Sequence, residues 1–276
     1  MTVETALRQG SSLLQKAGIP APRLTAEVLL SHALGKERSY LYTHPEEDLG
    51  HYPWLHFGRY LHERLKGKPT QYITRKQEFY GRTFRVTPDV LIPRPETEHV
   101  IEQVLARAPA ARRLADIGCG SGAIAITLAL ETRAAVFASD ISAAALAVAR
   151  DNARRLGASV HFARGDVTAA FGPSTVDVIA ANPPYIPELE RDTVQPEVRD
   201  FEPPVALYPG PTGLEIYTRL IADAPRVLSP GGLLVMEIGY RLSDAVQALF
   251  DARWRNLEIT ADLAGLPRVV SATLSP

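Results

Sequence analysis

The sequence predicts an α/β fold in which a mostly parallel, seven-stranded sheet follows a small helical domain. From about residue 112, short apolar runs alternate with amphipathic helical stretches, which is typical of parallel sheets covered by helices. Residues 1–75 instead carry apolar side chains at spacings of three and four, as amphipathic helices do. Between these two parts, aromatic runs on either side of Gly81 predict a β-hairpin.

Composition narrows the class of protein. The chain has 276 residues, of which 46% are hydrophobic and 22% charged, as in soluble globular proteins. Its 30 Lys and Arg nearly balance 31 Asp and Glu, which disfavours a strongly basic nucleic-acid binder. The single cysteine, Cys119, rules out an intramolecular disulfide, and neither a signal peptide nor an apolar run of about 18 residues is visible. We therefore expect a cytoplasmic protein with no membrane and no direct nucleic-acid partner.

Three segments are predicted along the chain: a helical domain (1–75), a β-hairpin linker (76–92) and an α/β domain (93–276). In the first segment, glycines and prolines separate predicted helices over 5–17, 24–34 and 54–65. Residues 71–73 and 78–86 are predicted to be extended. A helix is expected to begin near Thr97, with Glu96 as a candidate cap.

The α/β domain contains seven predicted strands, of which the last two are expected to pair antiparallel. The strands are 114–118, 135–140, 160–164, 176–181, 233–238, 257–260 and 269–273, and the helices are 123–131, 143–156 and 214–228. Ser142 and Gly157 suit the start and the end of the second of these helices. The proline-rich stretch 183–211 is long for a connection, which favours a functional loop.

A glycine loop follows the first strand of the α/β domain. Its residues are Gly118, Cys119, Gly120, Ser121 and Gly122. The spacing is G-x-G-x-G and lacks the features of dinucleotide or P-loop motifs, which favours a nucleoside ligand over a phosphate. Asp140 ends the second strand, where a carboxylate can accept ribose hydroxyls, and Asp166 follows the third strand, where it could meet an adenine amino group. Each feature alone could be only a tight turn or a helix cap, but their order resembles that of class I S-adenosylmethionine-dependent methyltransferases.

Cys119 and the histidines are not expected to carry chemistry. Cys119 has no activating His or Asn near it in sequence, so a small side chain within the loop is favoured over a nucleophile. The seven histidines show no metal-ligand spacing, so no metal site is expected.

The Asn182-Pro183-Pro184-Tyr185 element follows the fourth strand. Its prolines restrict the backbone, so the loop presents two acceptors, the Asn182 side-chain oxygen and the Pro183 carbonyl. Two such acceptors can orient a substrate NH2 group attached to a planar π-system, and the Tyr185 ring can pack against that plane. Because an amide nitrogen is a poor nucleophile, this orientation favours transfer of an activated methyl group to it. The alternative, a proline turn that only ends the strand, is disfavoured by its position after strand four.

Over nearly its whole length the chain resembles the release factor glutamine methyltransferases, the PrmC/HemK family. The matching motifs lie at 71–73, 78–81, 90–98, 116–122, 182–186, 202–203, 206–207, 213–214, 230–232 and 237–239. The resemblance implies a Rossmann-like class I methyltransferase domain behind a helical substrate-docking domain. It implies methyl transfer from S-adenosyl-L-methionine, with S-adenosyl-L-homocysteine as product. The acceptor would be the side-chain amide nitrogen of the Gln in the Gly-Gly-Gln motif of class I peptide release factors. This methylation would modulate translation termination.

The resemblance also implies roles for individual residues. The loop from Gly118 to Gly122 would border the methionine part of the cofactor, Asp140 the ribose, and Asp166 with Val167 the adenine. The family often has an aromatic residue where Val167 stands. Glutamine would be bound by Asn182, Pro183, Pro184 and Tyr185, of which Asn182, Pro183 and Tyr185 are the candidate catalytic residues. Asn182 would also lie near the cofactor, and a monomer is expected.

Two other functions remain open at this level. Adenine-N6 nucleic-acid methyltransferases also use N-P-P-Y, but they call for a base-recognition module and a basic footprint. A cofactor-binding protein without activity would need a damaged acceptor motif, and this one is intact. For the run 92–98, a structural role and a contact with ligand are equally favoured.

Overall fold

A computed structural model describes all 276 residues and divides into two compact units, Met1–Lys76 with Gln195–Phe201, and Gln77–Val194 with Glu202–Pro276. The first unit contains five helices from the N-terminal part: α1 (Val3–Lys16), α2 (Pro22–Leu34), α3 (Arg38–Thr43), α4 (His51–Leu65) and α5 (Thr70–Thr74). Leucines of α1 and α2 pack with Phe57 of α4 into its core. No helix of the chain is long and apolar enough to span a membrane.

Apart from shifts of one or two residues at the ends of α1 and α2, the helical unit differs from the prediction in three places. Helix α3 was not predicted, and α4 begins three residues before the predicted start because Pro53 is tolerated in a first helical turn. Residues 71–73 were predicted to be extended, which is wrong. They belong to α5, where the N–H groups of Tyr72 and Ile73 donate to the Pro69 carbonyl and Ile73 is buried in the core.

Apart from Lys76, the hairpin strands β1 (Lys76–Phe79) and β2 (Arg82–Arg85) open the second unit. Its sheet contains β3 (Arg113–Ile117), β4 (Ala135–Asp140), β5 (Val160–Arg164), β6 (Val176–Ala181), β7 (Leu228–Glu237), β8 (Trp254–Ala261) and β9 (Pro267–Leu274). Its helices are α6 (Glu98–Arg107), α7 (Ala123–Glu131), α8 (Ala143–Leu156), α10 (Glu215–Val227) and α11 (Ser243–Gln247). The remaining helix, α9 (Pro196–Phe201), belongs to the first unit.

The sheet has seven strands in the order β5-β4-β3-β6-β7-β9-β8. Strand β9 alone runs in the opposite direction, so its pairings with β7 and β8 are antiparallel. Successive residues of one strand enter opposite cores: Leu114 packs with α6, α7 and α8, whereas Ala115 packs with α10 and α11. A sheet buried on both faces explains why these strands are continuous apolar runs in the sequence.

Several predicted elements occur at the predicted residues, among them α7, α8, β4, β5 and β6. Ser142 caps α8 by accepting from the Ala145 N–H, and Gly157 ends it in the left-handed conformation. Strand β7 starts at Leu228, five residues before the prediction. The register shifts at this point, because Val176 of β6 pairs with Leu228 and Val178 pairs with Leu233. The intervening residues of β7, among them Pro230 and Gly231, bulge out of the pairing.

Strand order reverses between β3 and β6, because the chain runs from β3 outward to β5 and then returns to β6 on the other side. Open α/β sheets bind ligands at such a switch point, beside the carboxyl ends of the strands. Ile117 pairs with both Ser139 and Ala181. The residues that follow these three, Gly118, Asp140 and Asn182, are therefore neighbours at this edge.

Candidate active site

A cavity of about 310 Å³ opens at the carboxyl edge of the sheet, within the second unit. It brings together all the predicted site residues except Gly122 and Tyr185: Gly118, Cys119, Gly120, Ser121, Asp140, Asp166, Val167, Asn182, Pro183 and Pro184. Residues that the sequence did not single out, among them Tyr208, Ile216 and Leu220, complete a largely apolar wall. A mostly apolar cavity with a few polar groups is typical of small-molecule sites.

The glycine loop approaches the cavity through bare backbone. Gly118 and Gly120 have φ angles of +74° and +53°, and a Cβ built on either would meet nothing within 4 Å. The loop is held from behind by the Ser139 carbonyl, which accepts from the N–H groups of Gly118 and Cys119, each at 2.9 Å. A ligand can therefore lie directly against the loop, in space that side chains would otherwise fill.

Gly122 does not line the cavity and instead allows close packing of neighbouring side chains. A Cβ there would lie 2.8 Å from Ile126 Cδ1 and 3.2 Å from Ala149 Cβ. This glycine lets the first turn of α7 pack closely on α8.

Asp140 is held at the cavity by two backbone hydrogen bonds. Its Oδ2 accepts from the Gly120 N–H at 2.9 Å and its Oδ1 from the Ser142 N–H at 2.8 Å. Each carboxylate oxygen has two lone pairs, so both oxygens can still accept from ligand hydroxyls.

Asp166 lines the cavity but is already paired. Arg219 of α10 donates to its Oδ2 at 2.6 Å, and both side chains are about half exposed. Val167 has a φ angle of +50° and packs against the core beneath α10, so it gives the cavity an apolar surface next to this pair.

Asn182 is joined to two buried side chains that the sequence assigned no role. Its Nδ2 donates to Thr97 Oγ1 at 3.0 Å, and the Thr97 hydroxyl donates to Glu237 Oε2. Thr97 and Glu237 are only 4% and 1% exposed. Burial raises the pKa of Glu237 to about 7, although the Thr97 hydroxyl and Arg268 act in the opposite direction.

Tyr185 lies beside this network and not in the cavity wall. Its hydroxyl donates to Glu237 Oε1 over 3.5 Å, a long hydrogen bond. A Cβ at residue 239 would lie 3.0 Å from its ring, so Gly239 makes room for the tyrosine. Burial is the main cause that raises the pKa of this phenol, so it is neutral.

The Cys119 thiol in the glycine loop and the Asp116 carboxyl before the loop are both buried away from solvent. Burial raises the pKa of the Cys119 thiol well above its ordinary value, and the charges of Asp116 and Asp140 add to the effect. A neutral thiol is a poor nucleophile, which agrees with Cys119 as a small loop residue. Burial also raises the pKa of Asp116 to about 7; its Oδ2 accepts from the Ala125 N–H while its Oδ1 has no partner.

The segment 92–98 is tied into the site by two hydrogen bonds to one buried carboxylate. Glu202 accepts from the Ile92 N–H and from the Arg94 guanidinium. Pro93 and Pro203, the neighbours of these residues, line the cavity. No side-chain cap is formed at Glu96, and a 3-10 turn (Pro95–Thr97) leads into α6.

Thr97 and Glu237 were the residues that sequence reasoning missed. A signal for Glu237 was available, because it ends β7 at the edge that holds Asp140 and Asn182. Thr97 had no such signal, since it approaches from the segment before α6. No group of three or more His, Cys, Asp or Glu side chains is placed to hold a metal ion.

The donor set fits S-adenosyl-L-methionine. The exposed backbone of Gly118 and Gly120 forms a cradle that a Cβ would fill, beside a carboxylate suited to a ribose diol. A phosphate-bearing cofactor would favour a lysine in the cavity wall. No lysine lines this cavity.

Comparisons with known proteins agree with this architecture. Residues 5–74 match the PrmC N-terminal domain and residues 96–197 match the methyltransferase small domain. A methyltransferase of known structure from Pyrococcus furiosus shares the fold, with a TM-score of 0.54 and 18% identity over 71% of this chain and 89% of that chain.

Two curated relatives match almost end to end. The release factor glutamine methyltransferase of Koribacter versatilis is 46% identical over 98% of both chains. That of Nitratidesulfovibrio vulgaris is 44% identical over 98% of this chain and 95% of its own. With both of its domains matched and its identity sustained over this length, the chain belongs to the release factor glutamine methyltransferase family.

Proposed function

We propose that this protein transfers a methyl group from S-adenosyl-L-methionine to the glutamine side-chain amide nitrogen of the Gly-Gly-Gln motif in class I peptide release factors, and so modulates translation termination. One observation carries the proposal beyond family membership. Asn182, Pro183 and Pro184 line the same cavity as the glycine loop and Asp140. A methyl donor and an amide acceptor can therefore meet there.

The cofactor part of the cavity is assigned as follows. The loop residues Gly118 to Ser121 border the methionine portion, the Asp140 carboxylate accepts from the ribose hydroxyls, and Val167 with Asp166 borders the adenine. Because Arg219 already donates to one Asp166 oxygen, the other oxygen is the freer acceptor for an adenine amino group. When bound, S-adenosyl-L-methionine supplies a methyl group activated by a cationic sulfur.

The acceptor part of the cavity orients the substrate amide. The Asn182 Oδ1 and the Pro183 carbonyl each accept one N–H of the glutamine NH2 group, so its lone pair faces the methyl group. As the nitrogen–carbon bond forms and the carbon–sulfur bond breaks, positive charge develops on nitrogen and strengthens both hydrogen bonds. The nitrogen then loses one proton to solvent. Orientation of this kind can lower a barrier by about 7–11 kcal/mol.

Tyr185 is assigned a supporting part in this chemistry. Its ring, packed against Gly239, holds the end of the Asn182–Pro184 turn from outside the cavity wall. The helical unit is proposed as the domain that docks the release factor. We further propose a cytoplasmic monomer without a nucleic-acid substrate.

The proposal is tested with radiolabelled S-adenosyl-L-methionine and three acceptors: a class I release factor, the same factor with the Gln of Gly-Gly-Gln replaced by Ala, and duplex DNA. Label on the unaltered factor alone is the expected result. Label on DNA, or equal label on both forms of the factor, would refute the proposed acceptor.

A further inference from the structure

Two sequence motifs whose roles the sequence left open meet at Asn182. The run 92–98 contributes Thr97, and the motif 237–239 contributes Glu237 from the end of β7. Thr97 lies between the other two side chains, accepting from Asn182 Nδ2 at 3.0 Å and donating to Glu237. The three residues are far apart in sequence, and their side chains form a single chain of hydrogen bonds.

The direction of these hydrogen bonds determines which end of the Asn182 amide faces the substrate. An ionised carboxylate can only accept, so Glu237 takes the one hydrogen of the Thr97 hydroxyl. The Thr97 oxygen can then only accept from Asn182, and its partner must be the NH2 group. The Asn182 Oδ1 is thereby left as the acceptor that this residue offers to the cavity.

We propose that Thr97 and Glu237 are positioning residues that hold the Asn182 amide with its oxygen toward the substrate NH2 group. The inference rests on the proposed function, in which that oxygen accepts from glutamine. Without the two residues the Asn182 side-chain amide can rotate by about 180°. Its NH2 group would then face the NH2 group of the substrate, and two donors cannot hydrogen-bond to each other.

Protonation of Glu237 would reverse the chain. A protonated carboxyl can donate to Thr97, whose own hydrogen is then free for Asn182 Oδ1. The charged and titratable groups around Glu237 are Arg268 of β9, Arg94 and Glu96 before α6, Tyr185 after β6, and Tyr217 of α10. Since burial raises the pKa of Glu237 to about 7, methyl transfer should decline as the pH falls through about 7.

The test compares three variants of the full-length protein with the release factor as acceptor. Thr97→Val keeps the shape of a buried side chain and removes the hydroxyl; it should lower kcat about 10- to 100-fold without changing the cofactor Kd. Thr97→Ser restores the hydroxyl and should recover most of kcat. Thr127→Val is the matched control, because Thr127 is fully buried in α7 and its hydroxyl has no partner; its kcat should match that of the unaltered protein.

Two readouts separate positioning from a structural role. The acidic decline in kcat should be present in the unaltered protein and in Thr97→Ser and absent in Thr97→Val. In NMR spectra of the protein without ligands, one Asn182 side-chain amide proton should exchange slowly with solvent, and Thr97→Val should make both exchange fast.

An unchanged kcat in folded Thr97→Val would overturn the inference, as would a flat pH profile in the unaltered protein. If the unaltered protein transfers no methyl group to any release factor, the proposed function fails instead. The amide exchange still reports the orientation of Asn182 in that case.

Discussion

Asp140 combines a structural and a binding task in one carboxylate. It accepts from the N–H groups of Gly120 and Ser142, and this pins the glycine loop to the start of α8. It also lines the cavity, where its remaining lone pairs can meet ribose hydroxyls. A single side chain thus links the conformation of the loop to the binding of the nucleoside.

Replacing Asp140 by Asn should weaken cofactor binding about 10- to 100-fold, because hydrogen bonds to a charged group contribute about 1.5–3 kcal/mol. Isothermal titration calorimetry with S-adenosyl-L-methionine measures the effect. Asp151→Asn is the control, since Asp151 pairs with Arg85 and Arg154 and does not line the cavity. An unchanged Kd in a normally folded Asp140→Asn protein would contradict the ribose assignment.

Replacing Asn182 by Ala should abolish detectable methyl transfer and leave cofactor binding largely intact, because the acceptor oxygen is lost and Asp140 and the glycine loop remain. Single-turnover kinetics at saturating cofactor and calorimetry separate the two quantities. Turnover equal to that of the unaltered protein would exclude the proposed part of Asn182 in orienting the amide.

At the scale of elements, the glycine loop shows how one residue type meets two different needs. Gly118 and Gly120 leave open space for a ligand, whereas Gly122 allows close packing of α7 on α8. Repeated glycines in the sequence predicted a close approach of backbone to ligand. The packing role of the third glycine could not be predicted, because it depends on where Ala149 of the next helix lies.

Gly122→Ala should destabilise the fold by at least about 1 kcal/mol more than Gly157→Ala. Both glycines have positive φ angles, +83° and +71°, but only at Gly122 would the new Cβ meet neighbours, Ile126 and Ala149. Urea unfolding of both variants measures the difference. Equal losses would show that the loop relaxes without strain.

The regular elements of the second unit were predicted well and the short ones of the first unit less so. Helix α8 is marked in the sequence by its cap Ser142, its terminal Gly157 and a clear periodicity, all local signals. Helix α5 spans only five residues with β-branched and aromatic side chains, and the burial of Ile73 decides its conformation. Local propensity cannot reveal such a tertiary contact.

At the scale of the whole molecule, two carboxyl groups with pKa values raised by burial make stability depend on pH. Burial raises the pKa of Asp116 from 3.8 to about 7 and the pKa of Glu237 from 4.5 to about 7. Between about pH 4 and pH 7 the folded state therefore binds more protons than the unfolded chain. Each group makes the free energy of unfolding fall as pH rises, by at most about 1.4 kcal/mol per pH unit.

Asp116→Asn should make this decline shallower, because the substituted side chain does not titrate and only the contribution of Glu237 remains. Urea unfolding at several pH values from about 5 to 8 gives the slope. Exposed Asp192→Asn serves as the control and should retain the slope of the unaltered protein. A slope unchanged by Asp116→Asn would mean that Asp116 is ionised throughout this range.

The sequence by itself determined the fold class and the position of the site. Alternating strands and helices imply a parallel sheet, and the carboxyl ends of its strands share one edge, so Gly118, Asp140 and Asn182 had to lie together. Only the tertiary structure decided how these groups are oriented. Thr97 reaches Asn182 across 85 residues and Glu237 across 140, while Tyr185 faces Glu237 and Gly239 instead of the cavity wall. Such pairings depend on strand order and helix packing, which local patterns in a single sequence do not encode.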